Sequence, residues 1–299
     1  DAMQIKRALL IASRTSNQNA SRLRFSPVRE FPQLIFGRRS IETELRFLWN
    51  RCVAAACLSA TLYLRRTDRF SSDYMTSILR IPTERLREYE PIRPAWSTSP
   101  VSGLWLPERI PGWLRPPSRS DRLTKDKHGE AMNTWHQELA TELLRIHESA
   151  FGGILVLMTS YETVRQVAAL LSGRVDGLVE SNSRTTLAAQ RTRFMDISIS
   201  GRKPMWLAIG GAWTGLDING QHLGLPAAED KLLTDLVIPR LPFNLNMSLT
   251  HAHRMVTRSN IPWELLDTAM RTKQGIGRLV RREGLQHNRR IFVLDGRLH

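Results

Sequence analysis

Apolar residues in the second half of the chain follow two alternating patterns, one typical of buried strands and the other of helices. Residues 153–158 and 205–209 are short runs with almost no polar side chain, and they predict strands that are buried on both faces. Residues 162–171 repeat apolar positions at helical spacing and are followed by Gly173. Alternation of this kind predicts an α/β domain with a doubly wound parallel sheet.

The same patterns give a full set of elements for this half. In chain order we predict helix 133–149, strand 153–158, helix 162–171, strand 177–179, helix 185–195, strand 205–209, strand 232–238, helix 262–282 and strand 290–294. Loops that follow the strands of such a sheet gather at one edge. We therefore expect Ser160, residues 210–217, residues 240–243 and Asp295 to line that edge.

The first 130 residues have a weaker pattern. Residues 53–58 are apolar and lead into Ser59-Ala60-Thr61, which predicts a buried strand entering a functional loop. Residues 90–125 are rich in Pro, Ser and Arg, and repeated Pro predicts an irregular segment because it removes backbone donors. We divide the chain into residues 1–68, a linking segment at 69–130, and a domain at 131–299.

The net charge of the chain indicates a class of partner, whereas its length indicates only that it can fold. The chain has 299 residues, 41% of them hydrophobic, which is enough for a packed core. Its net charge of +15 favours a polyanionic partner, and nucleic acid is the commonest one. The alternative is that much of this charge forms a solvated surface.

Only two cysteines are present, Cys52 and Cys57. Their spacing suits neither a disulfide framework nor a zinc or iron–sulfur site, so we predict buried thiols and a reducing, cytoplasmic location. No run of about 18 apolar residues and no signal peptide is evident, which predicts a soluble protein without a membrane partner. Because the first residue is Asp1 rather than Met, we expect a fragment or a processed chain.

The last predicted helix contains candidate chemistry. Gln274, Arg278 and Arg281 are spaced to share one helical face. Gly275 and Gly277 each cost roughly 0.5–1 kcal/mol relative to Ala inside a helix, which indicates a close approach to another backbone or a ligand. Two guanidinium groups and an amide suit a polyphosphate, in the manner of an arginine finger. The alternative is a basic helix face in solvent.

A glycine-rich loop at residues 209–220 follows a predicted strand. Trp213 in this loop is either a core residue or a loop anchor, and Asp217 can accept from a ribose hydroxyl or orient an arginine. Such loops are weak evidence when taken alone.

These segments become specific through their order along the chain. The series is Ser59-Ala-Thr-Leu62, Leu155-Val-Leu-Met-Thr-Ser-Tyr-Glu162, Trp213-Thr-Gly-Leu-Asp217-Ile-Asn-Gly220, Arg240-Leu-Pro-Phe243, Gln274-Gly-Ile-Gly-Arg-Leu-Val-Arg281 and Leu294-Asp-Gly-Arg297. It resembles the second half of the DinG and XPD family of superfamily-two DNA helicases, over about residues 51–297. The resemblance implies a RecA-like second motor domain, preceded by the end of the first motor domain.

The resemblance also implies roles for particular residues, in three groups. Residues of nucleotide binding or coupling are Ser59, Thr61, Gly215 and Asp217. Residues of the DNA track are Thr159, Ser160, Tyr161, Trp213 and Arg240, and Arg240 belongs to a turn with Pro242 and Phe243 that is equally well explained as structural. Catalytic residues are Gln274, Arg278 and Arg281, which match the motif whose arginines reach the γ-phosphate.

The implied activity is ATP-dependent unwinding of duplex DNA, with 5′-to-3′ movement along a single strand. ATP and Mg²⁺ would be bound mainly by the first motor domain, because the sequence has no Gly-x-x-x-x-Gly-Lys-Ser/Thr phosphate loop and no Asp-Glu-Ala-His box. It also lacks the four cysteines with which many relatives bind an iron–sulfur cluster. We therefore expect this chain alone to be inactive.

Residues 209–212 and the segment 224–230 resemble the CRISPR-associated DinG of type IV systems more than housekeeping members. That resemblance implies recruitment by a CRISPR RNA-guided complex. A second hypothesis is a non-catalytic nucleic-acid-binding or scaffolding module, which keeps the helicase-like fold but works by recruitment to an RNA–protein complex. A nuclease is disfavoured, because the sequence has no carboxylate cluster with metal-binding spacing.

Overall fold

The computed structural model describes most of the chain, in two units. The described residues are 19–24, 33–38, 40–59, 61–66, 69–92, 103–118, 121, 124–243, 248–257, 261–285 and 289–298. One unit comprises Asp1–Pro91 and Phe243–Met270, and the other comprises Ile92–Pro242 and Arg271–His299. We refer to them as unit 1 and unit 2.

The described residues include ten strands and seven α-helices. In chain order they are β1 (Asn19–Arg24), β2 (Gln33–Arg38), α1 (Glu42–Arg51), β3 (Leu64–Arg66), β4 (Arg69–Ser71), α2 (Asp73–Leu79), β5 (Gly103–Trp105), α3 (Lys125–Ser149), β6 (Ile154–Leu157), α4 (Tyr161–Leu171), β7 (Leu178–Glu180), α5 (Leu187–Ile199), β8 (Met205–Ala208), β9 (Asp235–Ile238), α6 (Leu249–Thr257), α7 (Trp263–Ile276) and β10 (Arg290–Val293).

Unit 1 contains two antiparallel strand pairs, β1 with β2 and β3 with β4, together with α1, α2, α6 and the first part of α7. Its described core is small and is centred on Tyr74, Trp263 and Met270. The two aromatic rings lie 6.2 Å apart, and the Tyr74 hydroxyl donates to Asp267 Oδ1 at 3.0 Å. These contacts join α2 to the first part of α7.

Unit 2 is built on a six-stranded sheet in the order β5-β10-β9-β6-β8-β7, and every neighbouring pair is parallel. All four side chains of β6 are fully buried. Ile154 and Val156 pack on one face with α3 and α4, while Leu155 and Leu157 pack on the other with α5. Burying each such side chain contributes about 1.5–3 kcal/mol. The predicted α/β fold with a doubly wound parallel sheet is confirmed.

The order of the strands creates one switch point. The chain leaves β6 toward β7 and β8 on one side, and it leaves β9 toward β10 on the other side. Since β6 and β9 are neighbours, their carboxyl ends flank the crevice in which doubly wound sheets bind ligands. Residues 159–161 follow β6 and residues 239–242 follow β9.

Several elements differ from the sequence predictions. The segment predicted to be irregular supplies β5, whose Trp105 stacks on Phe292 of β10 at 4.7 Å. The helix predicted at 133–149 begins earlier, at Lys125, where Thr124 accepts a capping bond from Lys127 N. The last helix ends at Ile276 rather than at residue 282.

The strand predicted at residues 53–58 is wrong. These residues form no strand, and Val53 and Leu58 are 99% and 92% exposed. A buried strand needs a hydrogen-bonded neighbour and a packing surface, and within the described residues this run has neither. Cys57 is exposed and Cys52 is half-buried, so the prediction of buried thiols is wrong as well.

No helix in the described ranges is long and apolar enough to cross a membrane.

Candidate functional site

The carboxyl end of β6 leads directly into the first turn of α4. The Ser160 hydroxyl accepts a hydrogen bond from Thr163 N at 3.2 Å and so caps the helix. Thr159 is half-buried, and Tyr161 is 56% exposed. A hydroxyl, an aromatic ring and a helix N-terminus therefore meet at the switch point, which is a combination that suits a phosphate and a base.

The loop after β8 is anchored to the end of β6 through Trp213. Its ring is 1% exposed, and its Nε1 donates to the Met158 carbonyl at 2.9 Å. Trp213 is thus both a core residue and a loop anchor, the two roles that the sequence left open. No face of the ring is exposed to a base or a phosphate, so its predicted DNA role can act only through the loop and the end of β6. Gly215 N donates to Gly211 O at 2.7 Å and tightens the turn.

Gly275 is required by the approach of α7 to this loop. A Cβ at this position would lie 2.8 Å from Leu157 Cδ1 and 3.1 Å from Trp213 Cε3. The predicted close approach is therefore to packed side chains. Gly277 lies just past the end of the helix, where its N–H donates to the Lys273 carbonyl at 3.0 Å.

Arg278 joins the turn after α7 to the loop after β8. Its Nε donates to the Gln274 carbonyl at 3.1 Å, its Nη1 to the Leu216 carbonyl at 2.7 Å and its Nη2 to the Thr214 carbonyl at 2.6 Å. Burial lowers the pKa of Arg278, and the neighbouring Arg281 lowers it further, while Asp217 opposes the shift. The three carbonyls thus solvate a half-buried cation.

Arg281 lies beyond the end of α7, so the prediction that it shares a helical face with Gln274 and Arg278 is wrong. The helix ends because Gly277, Arg278 and Leu279 form a turn, with Arg278 N donating to Gly275 O at 3.0 Å. Arg281 is still close enough to Arg278 to affect its pKa. Its Nε is buried and makes no hydrogen bond within the described residues. A cation with an unsatisfied buried donor fits an anionic ligand such as a phosphate.

Asp217 is fixed by its own loop. Its Oδ1 accepts from Asn219 Nδ2 at 3.0 Å, and its Oδ2 lies 3.4 Å from His222 Nε2. The Asp217 carbonyl accepts from Arg191 Nε at 2.6 Å. The carboxylate remains 40% exposed, so it retains capacity to accept another donor.

The turn after β9 is attached to the end of β10 by Asp295. This fully buried carboxylate accepts from Leu241 N at 2.8 Å and from the Arg297 guanidinium at 2.8 and 2.5 Å. Arg240 is half-buried beside this pair, where burial and then the Arg297 charge lower its pKa. The bond from Leu241 N to Asp295 fits the explanation of this turn as structural. Arg240, the residue before it, adds a half-buried positive charge at the switch point.

Ser59 and Thr61 belong to unit 1. Thr61 N donates to Ser59 Oγ at 3.2 Å in a local turn, and Ser59 is exposed. The other predicted site residues, from Thr159 to Arg281, all lie in unit 2, and there they share the carboxyl edge of the sheet.

Asp230 is an anchoring residue that the sequence did not indicate. It is 3% exposed, and its Oδ2 accepts from Gly220 N at 2.7 Å and lies 3.4 Å from Arg282 Nη1. Arg289 Nη2 donates to its carbonyl at 2.7 Å. These bonds attach the segment 224–230 to the stretch that follows Arg281. No local pattern marks this Asp, because its partners are distant in the sequence.

No group of three or more His, Cys, Asp or Glu side chains in the described part of the chain could hold a metal ion. The charged groups that the structure places at the edge include the arginines and the Asp217 carboxylate.

The sequence matches a family model described as the helicase C-terminal domain, over residues 143–299. The match covers more than half of the chain. The chain belongs to the helicase C-terminal domain family. This confirms the predicted resemblance to the C-terminal region of DinG and XPD helicases, and it makes unit 2, which contains most of the match, a helicase-family motor domain.

Solved structures agree with this helicase C-terminal domain in fold. A structure of XPD helicase and a structure of XPD in the apo form each superpose with a TM-score of 0.56 at 17% identity, over 89% of this chain. The chain spans only 43% and 49% of the length of those two proteins. At this identity the likeness shows the fold, which is the predicted RecA-like one. No curated protein matches the sequence.

Proposed function

We propose that this helicase C-terminal domain is the second motor domain of an ATP-dependent DNA helicase that moves 5′ to 3′ along a single strand and unwinds duplex DNA. The observation that supports the proposal most is the position of Arg278, whose guanidinium joins the turn after α7 to the carbonyls of Thr214 and Leu216. An arginine at this point can respond to a nucleotide and pass that response to the loop.

The nucleotide side of the proposed site consists of Arg278 and Arg281. ATP, when bound against them by a first motor domain, supplies the γ-phosphoryl group and the free energy of its hydrolysis. Arginines at such a position stabilise negative charge that develops during phosphoryl transfer. Since the sequence has no phosphate loop, we propose that this chain alone does not hydrolyse ATP.

A continuous set of contacts leads from Arg278 to the proposed DNA track. Arg278 holds the carbonyls of Thr214 and Leu216, the adjacent Trp213 holds the Met158 carbonyl, and Met158 precedes the Thr159–Tyr161 segment. If Arg278 exchanges a carbonyl for a phosphate oxygen, the loop loses one of its restraints. The Trp213 contact then transmits the change to the residues that would hold the DNA backbone.

The DNA side has the chemistry of single-strand binding. Ser160 and the first turn of α4 offer donors for a phosphate, Tyr161 offers an exposed ring for stacking, and Arg240 adds positive charge. The net charge of +15 increases the attraction of any polyanion.

The test is Arg278→Ala in the complete helicase that carries this domain. We expect ATP hydrolysis to fall by about a thousandfold, because arginine fingers contribute on that order, and strand displacement to be lost. Binding of a single strand without nucleotide should change by less than about twofold. Arg202→Ala is the matched control, because Arg202 precedes β8 and pairs with the exposed Asp176. Full activity in the Arg278 variant would refute the proposal.

The same experiment separates the helicase from the second hypothesis. A wild-type protein that binds DNA but hydrolyses no ATP would favour a recruitment module. Association with a type IV CRISPR RNA-guided complex is a further part of our proposal, and it rests on the sequences of residues 209–212 and 224–230. If this association exists, the complete protein should co-purify with such a complex. Absence of co-purification would refute this part of the proposal.

A further inference from the structure

A polar pocket of about 260 Å³ lies within unit 1. It is formed by the start of α1, the end of α2 and one side of α6. The polar side chains of its lining include Ser40, Glu42, Arg80, His253, Arg254 and Thr257. None of them belongs to the segments that resemble helicase motifs, and the pocket plays no part in the proposed motor site.

Arg254 is the main reason to expect a ligand there. Within the described residues it makes no ion pair and no hydrogen bond, and its guanidinium lies 6.0 Å from the centre of the Trp263 ring. Burial lowers its pKa, and Tyr74 only partly offsets the shift. A half-buried cation without a counter-ion is costly, and an anion entering the pocket would remove that cost.

Arg80 adds a second cation whose position is fixed. Its Nη2 lies 2.9 Å from Glu42 Oε2, which leaves other donors of the guanidinium for a ligand. Arg80 ends α2 in the left-handed conformation, with a φ of 53°, and its own N–H and that of Ile81 both donate to the Thr76 carbonyl. This helix ending fixes the backbone of Arg80. With two arginines and one glutamate, the pocket carries a net charge of +1.

The lining also contains hydroxyl groups, among them those of Ser40 and Thr257. Ser40 Oγ accepts from Glu42 N at 3.2 Å, so its own proton is available to a ligand. Thr257 Oγ1 donates its proton to the His253 carbonyl at 2.9 Å, so of these two hydroxyls only that of Ser40 can donate to a phosphate. Arginines with hydroxyl donors recur in phosphate recognition.

We propose that this pocket binds a phosphate group, with Arg254 as the principal counter-ion and with Arg80 and Ser40 as hydrogen-bond donors. The source to which we commit is a backbone phosphate of a single-stranded nucleic acid, and this choice rests on the proposed function. A free phosphate offers the same chemistry, and the two sources are separated by experiment.

The first experiment uses the 299-residue chain and a short fluorescein-labelled oligothymidylate. Fluorescence anisotropy gives the Kd of wild type, Arg254→Gln and Arg87→Gln over a range of salt concentrations. Arg87 is the matched control, because it is an exposed arginine of unit 1 that does not line the pocket. Loss of one charged hydrogen bond should weaken binding by about tenfold in Arg254→Gln. Loss of one phosphate contact should reduce the salt slope by about 0.7. Arg87→Gln should change both the Kd and the salt slope by less than Arg254→Gln does.

A second variant guards against a folding defect in Arg254→Gln. Thr257→Glu keeps every native cation and places a carboxylate at an exposed position of the lining. This carboxylate should form an ion pair with Arg254 and repel a phosphate. Circular dichroism and thermal unfolding check that each variant is folded. We expect both pocket variants to weaken oligonucleotide binding alike.

A titration with inorganic phosphate, followed by ³¹P line broadening, distinguishes the sources. If phosphate binding is lost in both pocket variants while oligonucleotide binding is unchanged, the site holds a free phosphate. Unchanged binding of both probes in folded variants would overturn the pocket proposal. If the wild-type chain binds no oligonucleotide, the result contradicts the proposed DNA binding. The phosphate titration then tests the pocket separately.

Discussion

His136 lies in α3 with both ring nitrogens buried and without a hydrogen-bond partner in the described residues. The neighbouring ring of Trp135 is 5.3 Å away, and Glu162 at the start of α4 is the charged group that faces it. Burial lowers the pKa of His136, and Glu162 offsets part of that shift. The folded protein therefore keeps this imidazole neutral at a pH where an unfolded chain would protonate it.

Replacing His136 with Leu should stabilise the protein. The substitution removes two unsatisfied polar atoms, so the free energy of unfolding at pH 7 should rise by about 1 kcal/mol or more. Below a pH of about 6.5 the unfolded wild type takes up a proton that the folded form does not, and its stability falls as pH falls through that window. The variant should lack this part of the pH dependence.

Urea unfolding at several pH values measures both effects. His147→Leu is the matched control on the same helix, because its Nε2 is hydrogen-bonded to the Lys203 carbonyl at 2.9 Å and its loss should destabilise. A His136→Leu protein that is less stable than wild type would contradict this account and indicate that the His136 ring has a polar partner.

The sequence could place a residue at the sheet edge where a strand or helix pattern leads directly to it. Arg278 is such a residue, because it follows the last helix, and in the structure it joins the turn after α7 to the loop after β8. Asp230 was not found, because its partners Gly220 and Arg282 come together only in the folded chain. Val53 was expected to be buried, since composition alone does not show whether a packing partner exists.

Helix caps provide a test of the predicted DNA track at the scale of single elements. Ser160 caps α4 and Thr186 caps α5, with bonds of 3.2 Å to Thr163 N and Ala189 N. Either residue replaced by Ala should cost about 1 kcal/mol of stability. Only Ser160 lies at the switch point, so only Ser160→Ala should also weaken single-strand binding, by about tenfold if a phosphate contact is lost.

Thermal unfolding and fluorescence anisotropy of the two variants make the comparison. Equal losses of DNA affinity in both would assign the effect to general destabilisation. Unchanged affinity in Ser160→Ala would remove Ser160 from the track.

Element boundaries followed from the sequence wherever the signal was continuous. The buried strands β6 and β8 were predicted to within two residues because each is a run of apolar side chains. The end of α7 was placed six residues too late, since its turn is held by tertiary bonds from Arg278. Strand β5 was missed because its Pro-rich surroundings indicate irregular structure and its partner β10 is far along the chain.

At the scale of the whole molecule, the two units differ in how much described core they contain. Unit 2 has large clusters on both faces of its sheet, and unit 1 has the small group around Tyr74 and Trp263. Native-state hydrogen exchange should therefore be slowest in β6, β8 and β9. Amides of β3 and β4 should exchange faster by on the order of a hundredfold, because local opening of a small core is less costly. Equal protection in the two sets would contradict this expectation.

The bonds of Arg278 have a consequence for how such a domain can diverge. Its guanidinium is held by carbonyl oxygens of the loop, and every amino acid supplies a carbonyl. Substitutions at Thr214 and Leu216 can therefore alter what the loop presents to a partner and still preserve the tether, provided that the backbone path is kept. Gly275 has no such latitude, because any side chain there would meet Leu157 and Trp213. New specificity can thus arise in this loop by ordinary mutation, with the arginine left in place.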